Sequence, residues 1–306
     1  MRKLHSFIFS ALLLGAVAAC TSSVDPGTDP NAVYQSNLAD ISNYASSKGL
    51  TGTSTNSGLY YLLTKPGSAS APAATIGKEV EFNYTMYVLS RSSSNTAVVT
   101  DKKLDSLYTT TPVYYLLSPY STQSSFVPLL PGLQEGLLKM REGDQATLLM
   151  PSALAFGDQS SALLPANSPV RFDVTLRRAR TEDQQINEYM TANKLTPTEV
   201  TQSGLRFIKT ANNSSGASPT STQTLIVKYK GKLLRSASAF DSTGTGTAAF
   251  TLGRSIAGFE EGLTKLKVGE KATLIFPSAI GYGQTGNQVI PPYAPLRFDI
   301  ELVSVQ

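Results

Sequence analysis

The chain has 306 residues, which is enough for two domains of ordinary size. Its 41% hydrophobic and 16% charged residues are typical of globular protein and exclude a disordered polymer. The formal charge of +4 includes Arg2 and Lys3 at the start of the chain, so the remainder is nearly balanced and no nucleic-acid partner is indicated.

Two reactive residue types occur once each, both near the amino terminus. His5 is the single histidine, Cys20 is the single cysteine, and tryptophan is absent. The rest of the sequence therefore offers no histidine-based catalytic triad, no cysteine nucleophile, no disulfide, and no zinc site made of imidazole or thiolate. We predict neither a metal ion nor a cofactor.

Residues 1–19 are predicted to be a signal peptide. Arg2 and Lys3 precede an apolar stretch over 7–17 that is too short to span a bilayer. Small residues then lead into Cys20, an arrangement that resembles the bacterial lipoprotein signal, in which the cysteine is lipidated. We expect a cell-envelope protein, periplasmic or surface-facing, anchored to a membrane through lipid on Cys20. An ordinary secretory signal with a chance cysteine is the alternative.

Residues 20–35 are predicted to be a flexible tether, because they contain two prolines and a glycine before residue 31 and lack apolar periodicity. Next, Leu38, Ile41 and Tyr44 have helical spacing and predict a short helix. Ile186 and Tyr189 repeat this pattern later in the chain. The helix therefore belongs to a unit that occurs twice in the sequence.

Most of the remaining sequence is also repeated. The matching stretches are 57–61 with 203–207, 132–137 with 258–263, 150–153 with 276–279, and 169–176 with 295–302. We predict one domain over 36–180 and a second over 181–306.

Alternation of apolar and polar residues predicts strands in both copies, for example at Val80, Phe82 and Tyr84. The exception is one segment in each copy that has helical spacing. It ends before Gly143 in the first copy and before Gly269 in the second. The predicted fold class is α+β: in each copy, a mostly antiparallel sheet covered by one short helix and preceded by another.

A series of motifs in the second copy resembles the FK506-binding-protein (FKBP) type of peptidyl-prolyl isomerase. The motifs occupy residues 227–231, 240–242, 250–252, 256–262, 281–283, 290–292 and 296–302. Their order and spacing agree over about residues 204–306. The fold that the resemblance implies is a twisted antiparallel sheet wrapped around a short helix.

The chemistry of that family suits a chain without histidine, cysteine or metal. A peptide bond rotates over a barrier of about 18–20 kcal/mol, and X-Pro isomerisation takes tens of seconds or longer unaided. A twisted amide loses its resonance and becomes less polar, so a dry aromatic pocket favours it over the planar ground state. No covalent bond needs to be made.

The resemblance implies a pocket in the second copy, with Ile256 and Ile290 as apolar edges. Its walls and floor would come from Tyr229, Phe240, Phe259 and Phe298. Tyr282 would donate its hydroxyl to a substrate carbonyl, and Asp241 would accept a hydrogen bond at the edge. Phe259 stands where the family usually has tryptophan, and Ala248 stands where another aromatic is common. We therefore expect a wider, shallower pocket and reduced activity.

The first copy departs further from the family. The corresponding positions are Tyr84, Asp105, Leu130, Leu133, Phe156 and Phe172. The floor has become Leu133, and the hydroxyl of Tyr282 is lost in Phe156. Losing a donor together with an aromatic floor removes most of the expected catalysis. We interpret this copy as a degenerate domain that binds a ligand or acts as a spacer more than it catalyses.

Three readings remain open at this point. The leading one is an isomerase that acts on proline-containing exported polypeptides and assists their folding, mainly through its second domain. The alternative is a non-catalytic chaperone or binding lipoprotein that uses both domains. A third, a surface protein that binds glycan or another cell, draws on Tyr/Ser/Thr-rich insertions in the first copy and has no specific motif.

Overall fold

The computed structural model describes residues 29–94, 98–105, 108, 110–119 and 129–306, with Asp105 described by its backbone alone. The predicted signal peptide, Cys20 and most of the predicted tether lie outside the described residues. Within those ranges, no helix is both long and apolar enough to cross a membrane.

The first domain is one antiparallel sheet with a helix on each face. Its elements are α1 (Pro30–Ser47), β1 (Thr53–Ser54), β2 (Tyr60–Lys65), β3 (Glu79–Arg91), β4 (Val99–Asp105), β5 (Val113–Leu116), α2 (Pro131–Leu137), β6 (Gln145–Met150), a 3₁₀ helix (Ser152–Leu154) and β7 (Val170–Arg180). The strand order is β1-β2-β6-β7-β3-β4, and β5 also pairs with β3.

The second domain repeats this arrangement. Its elements are α3 (Glu182–Ala192), β8 (Glu199–Val200), β9 (Arg206–Ala211), β10 (Thr224–Leu233), β11 (Asp241–Ser242), β12 (Ala248–Thr251), α4 (Ala257–Thr264), β13 (Lys271–Phe276), a 3₁₀ helix (Ser278–Ile280) and β14 (Leu296–Val305). The strand order is β8-β9-β13-β14-β10-β11, with β12 also paired to β10. The α+β class and the repeated sheet with its short helix are confirmed.

Successive residues of one strand explain why each sheet needs two helices. Along β6, Leu148 belongs to the main core that α2 covers, while Leu149 packs with residues of α1. Along β13, Leu274 and Ile275 divide in the same way between α4 and α3. Since neighbouring side chains of a strand point to opposite faces, two adjacent apolar residues require cover on both sides.

Equivalent hydrogen bonds hold α1 and α3 to their sheets. Arg171 donates to the Tyr44 hydroxyl over 2.7 Å, and Arg297 donates to the Tyr189 hydroxyl over 2.8 Å. Each helix is therefore part of the repeated unit.

The boundary predicted between the tether and the first helix is wrong by several residues, since residues 30–35 lie within α1. Asp29 caps this helix, and its side chain accepts from the Asn31 amide over 3.0 Å. Pro30 follows at the first helical turn, where proline costs no hydrogen bond. This cap was the sequence signal that would have placed the start correctly.

Candidate active site

Aromatic side chains from three elements of the second domain meet in one group. Tyr229 projects from β10, Phe298 from β14 and Phe259 from α4. The ring centroid of Phe259 lies 5.6 Å from that of Tyr229 and 5.2 Å from that of Phe298. These tilted and edge-on arrangements are those that aromatic pairs prefer. Phe259 is 2% exposed and so forms the floor of the group.

Two further phenylalanines extend this group. Phe240 lies edge-on to Phe298 at 5.6 Å. Phe250, on β12, lies 5.7 Å from Tyr229 and 5.0 Å from Phe259. Phe250 belongs to one of the family motifs but was not among the residues predicted to form the pocket. The alternation that puts Ala248 and Phe250 on one face of β12 is the signal that could have found it.

One edge of the group is polar. The Tyr229 hydroxyl donates to Asp241 Oδ2 over 2.6 Å. Burial, the hydrogen bond to Asp241 and its negative charge together raise the pKa of Tyr229 to about 12. Burial, and then the charge of Asp241, also raise the pKa of Tyr282. Both phenols are therefore held in their protonated, hydrogen-bond-donating form.

Tyr282 is half-buried against the aromatic group. It follows the 3₁₀ helix, and Gly283 comes next with φ of 63°, a backbone conformation that glycine adopts without strain. In the described part of the chain, no hydrogen bond engages the Tyr282 hydroxyl. That hydroxyl is available to donate to a ligand.

The remaining rim residues come from the start of α4 and from the loop before β14. Ile256 is the N-cap residue of α4 and is half-buried against the aromatic group. Ile290 is 1% exposed in the same group, whereas Val289 beside it is 54% exposed. Asn287 Oδ1 accepts hydrogen bonds from the amides of Val289 and Ile290, each over 2.8 Å. These bonds fix the loop with Val289 facing solvent and Ile290 facing the core.

The structure brings all eight predicted residues of the second copy together. Seven of them form or pack against a single cluster, namely Tyr229, Phe240, Ile256, Phe259, Tyr282, Ile290 and Phe298. The eighth, Asp241, is exposed and bonds to Tyr229. The arrangement is an aromatic surface with hydroxyl donors and one carboxylate at its edge. Such a surface can hold an apolar ring and orient a neighbouring amide.

The same stretches of sequence match a known family. Residues 71–177 and 216–303 match FKBP-type peptidyl-prolyl cis-trans isomerase. The chain belongs to this family. One matched stretch lies in each of the two domains described above.

Two curated relatives and one solved structure are similar to parts of this chain. The chain is 29% identical over 197 residues to peptidyl-prolyl cis-trans isomerase FKBP9 of Homo sapiens, which covers 61% of this chain and 30% of FKBP9. It is 35% identical over 121 residues to the FKBP-type isomerase FkpA of Aeromonas hydrophila, covering 39% and 45%. The crystal structure of FkpA from Escherichia coli aligns with a TM-score of 0.37 and 31% identity, covering 41% of this chain and 59% of that one. The chain thus spans about a third of FKBP9 and less than half of the curated FkpA.

Strand register shows which residues of the two FKBP domains are equivalent. Tyr229 lies opposite Ile300 and Gly231 opposite Phe298. In the first domain, Tyr84 lies opposite Val174 and Met86 opposite Phe172. Met86 also lies opposite Asp105, as Gly231 lies opposite Asp241. Tyr84, Asp105 and Phe172 therefore occupy the backbone positions that the sequence alignment assigned to them.

The first FKBP domain fills the corresponding region with its own side chains. Tyr108 stacks on Tyr84 with 5.1 Å between ring centroids, and Tyr84 is only 6% exposed. Met86 is also 6% exposed and stands where the second domain has Gly231. A Cβ atom at Gly231 would lie 2.6 Å from the Phe298 ring and 2.8 Å from the Phe240 ring, so the second domain has no room for such a side chain.

The other described side chains of the predicted site in the first domain are buried or half-buried. Leu130, Leu133 and Phe172 are 8%, 3% and 2% exposed, and Phe156 packs against the same core. Phe156 takes the place of Tyr282, since each follows a 3₁₀ helix and precedes a glycine with φ near 60°. Leu133 and Phe172 are no more buried than their counterparts Phe259 and Phe298, which are 2% and 4% exposed, so the two domains differ at the edge of the group: Tyr84 and Leu130 are buried, whereas Tyr229 and Ile256 are half-buried. The side chain of Asp105 lies outside the described residues.

Proposed function

We propose that this chain is a peptidyl-prolyl cis-trans isomerase whose catalysis is carried by the second FKBP domain. The observation that carries the proposal is the contrast between the two copies. The second keeps an aromatic group with accessible hydroxyls at its edge, while the first has filled the same region.

In the proposed mechanism, the proline ring of the substrate rests against Phe259, with Tyr229 and Phe298 beside it. These rings exclude water, and a twisted amide is favoured there because it is less polar than the planar one. Tyr282 donates its hydroxyl to a carbonyl of the substrate and so fixes one side of the rotating bond. Lowering the barrier by about 4 kcal/mol would accelerate the step about a thousandfold.

Asp241 acts on Tyr229 in this scheme. Its carboxylate accepts the phenolic hydrogen over 2.6 Å and so fixes the rotation of that hydroxyl. Because the Tyr229 ring contacts both Phe250 and Phe259, a fixed hydroxyl also holds the aromatic wall in place. We assign Asp241 an orienting role and assign it no proton transfer.

We further propose that the substrates are proline-containing segments of exported polypeptides and that the protein assists their folding. The support is the amino-terminal sequence, which resembles a lipoprotein signal ending at Cys20. A lipid on this cysteine would hold the protein at the membrane of the cell envelope, periplasmic or facing the exterior. Mass spectrometry of the mature amino terminus tests this, and an unmodified Cys20 would contradict it.

One observation favours binding without catalysis as a second candidate function. Each FKBP domain exposes one aliphatic residue on the loop before its last strand: Val289 is 54% exposed and Leu163 is 52% exposed. A polar side chain holds each loop, through Asn287 in one case and through Ser161 Oγ in the other. A chaperone-like surface would use both residues equally.

A proline isomerisation assay on the full chain separates the two candidates. We expect the wild-type protein to accelerate cis-to-trans conversion of an X-Pro peptide above the rate in buffer. Tyr282→Phe combined with Asp241→Ala should lower that acceleration at least several-fold. A rate equal to buffer from wild-type protein that is folded by circular dichroism would support binding without catalysis and refute the isomerase.

A further inference from the structure

An ion pair joins the two FKBP domains. Arg235, two residues beyond β10, donates to both oxygens of Glu79 at the start of β3, over 2.5 and 2.6 Å. Arg180, the last residue of β7, donates to the same carboxylate over 3.4 Å. The Glu79 side chain is 5% exposed and that of Arg180 is 7% exposed. This two-pronged pairing of arginine with a carboxylate is the strong, directional kind.

Apolar contacts surround this pair. The Arg235 guanidinium lies 4.0 Å from the centroid of the Tyr114 ring, and that of Arg180 lies 5.9 Å from it. Leu116, also on β5 of the first domain, packs against the main core cluster of the second domain. Gly77 lies against the ring of Tyr293, close enough that an added Cβ atom would be 3.3 Å away.

Arg235 and Tyr293, the second-domain residues in this interface, lie on two of the loops that border the pocket. Arg235 lies on the connection from β10, which carries Tyr229, to Phe240 and Asp241. Tyr293 follows the rim residue Ile290 by three positions. The first domain therefore touches the second at two of the segments that deliver pocket residues.

We infer that Glu79 and Tyr114 are positioning residues for the pocket of the second domain. Through Arg235 they hold the loop that leads to Phe240 and Asp241, and Gly77 and Leu116 support the rest of the interface. This inference rests on the proposed isomerase function, and it gives the first domain a role that needs no binding or catalysis of its own.

The physical reason is preorganisation. A differential-binding mechanism works only while the pocket walls keep their geometry, and misplacing such groups by about 1 Å can cost on the order of a hundredfold in rate. A loop ordered by a contact within the molecule does not have to be ordered by the substrate, so binding costs less entropy. The Glu79 carboxylate is well suited to this because its burial limits competition from water and salt.

The first test is Arg235→Ala in the full chain. This variant removes the contact with Glu79 and Tyr114 yet leaves Glu79 paired with Arg180, so no buried charge is stranded. We expect kcat/KM for an X-Pro peptide to fall about threefold to tenfold, the range in which residues remote from a site modulate it. Arg235→Lys keeps the positive charge but loses the guanidinium that bonds to both carboxylate oxygens. Its kcat/KM should therefore lie between those of Arg235→Ala and wild type.

Lys271→Ala is the matched control, because it breaks an exposed ion pair with Glu301 within the second domain. Its kcat/KM should equal that of wild type. If Arg235→Ala also keeps the wild-type kcat/KM, the inference is overturned.

Amide hydrogen exchange supplies a readout that does not depend on activity. In Arg235→Ala, the amide of Phe240, on the loop that Arg235 holds, should exchange several-fold faster than in wild type, while those of the central strand β13 stay unchanged. Equal acceleration at both places would show a merely global loss of stability and would overturn the inference. An inactive wild type with selective exchange at the rim would refute the proposed function and leave the positioning role supported.

Discussion

The two FKBP domains share strand order, strand register and the tyrosine–arginine bonds that fix their outer helices, yet they differ at the pocket. The clearest difference lies at one register position, where the second domain has Gly231 and the first has Met86. The packing of the aromatic group in the second domain thus depends on the absence of a side chain at residue 231. Fold and pocket are separable, because the sheet tolerates methionine at this position while the pocket does not.

The first domain uses its pocket positions for packing. Tyr84, Met86 and Leu133 are each at most 6% exposed, and burying a side chain of this size stabilises by about 1.5–3 kcal/mol. The second domain leaves Tyr229 and Phe250 half-exposed at equivalent or neighbouring places. The second domain therefore gains less stability from these positions, which is the trade between stability and function that the proposed catalysis would require.

Filling the second pocket should have the largest effect of any single change. Gly231→Met introduces the residue of the first domain where a Cβ atom already meets the rings of Phe240 and Phe298. We expect kcat/KM to fall by at least about tenfold and the free energy of unfolding by about 1–3 kcal/mol from overpacking. Peptide isomerisation and urea unfolding of the full chain measure both quantities.

Met86→Leu in the first domain is the corresponding control, since it conserves side-chain volume at the same register position. Its activity should equal that of wild type. Unchanged turnover in folded Gly231→Met would mean that the catalysis does not use this pocket, and the assignment of activity to the second domain would be wrong.

Replacing the aromatic floor should have an intermediate effect. Phe259→Leu gives the second domain the residue of the first, Leu133, and removes the ring that contacts Tyr229, Phe250 and Phe298. We expect kcat/KM to fall about fivefold, because in the proposed mechanism the lost face contacts the substrate in the transition state.

Phe276→Leu separates this effect from lost stability. Phe276 is fully buried and stacks on Phe298 at 5.8 Å, so the same chemical change there should cost a similar amount of stability, about 1 kcal/mol. Its kcat/KM should stay within about twofold of wild type. Equal losses of activity in the two variants would show that Phe259 acts only through the core.

The sequence was sufficient to predict the repeat, the sheet class and the aromatic group, because those follow from alternation and from family motifs with fixed spacing. Tyr229, Phe259 and Phe298 do meet, as their places in that pattern required. The filling of the first pocket was harder to foresee. Tyr108 lies in a part of the first copy that has no counterpart in the second, where alignment gives no position for its ring.

The contact between the domains could not be predicted at all. Glu79 and Arg235 are 156 positions apart, and nothing in the sequence around either residue indicates a partner in the other copy. Each copy can be compared with the family. The orientation of one copy relative to the other, however, produces no periodicity and no motif in the sequence. Only the folded chain shows that Glu79 faces a loop of the pocket.

The smallest expected effect concerns pH, and it tests whether the second pocket works without a titrating group. The pKa of Tyr229 is raised to about 12 and that of Tyr282 is also raised, so both hydroxyls stay protonated at neutral and mildly alkaline pH. We expect kcat/KM to be constant between about pH 6 and 9, in contrast to enzymes that rely on histidine. A bell-shaped profile in this interval would contradict the mechanism.

Stability should respond only at higher pH, and the sign follows from linkage. The phenol of Tyr229 ionises near pH 10 in the unfolded chain and near 12 in the folded one, so above about pH 10 the unfolded state binds fewer protons. The free energy of unfolding should therefore decrease as the pH rises from about 10 to 12. In Tyr229→Phe this decrease should be shallower, because the other tyrosines with raised pKa values still contribute. An equal slope in the variant and in wild type would show that the Tyr229 hydroxyl is not held by burial and Asp241 in solution.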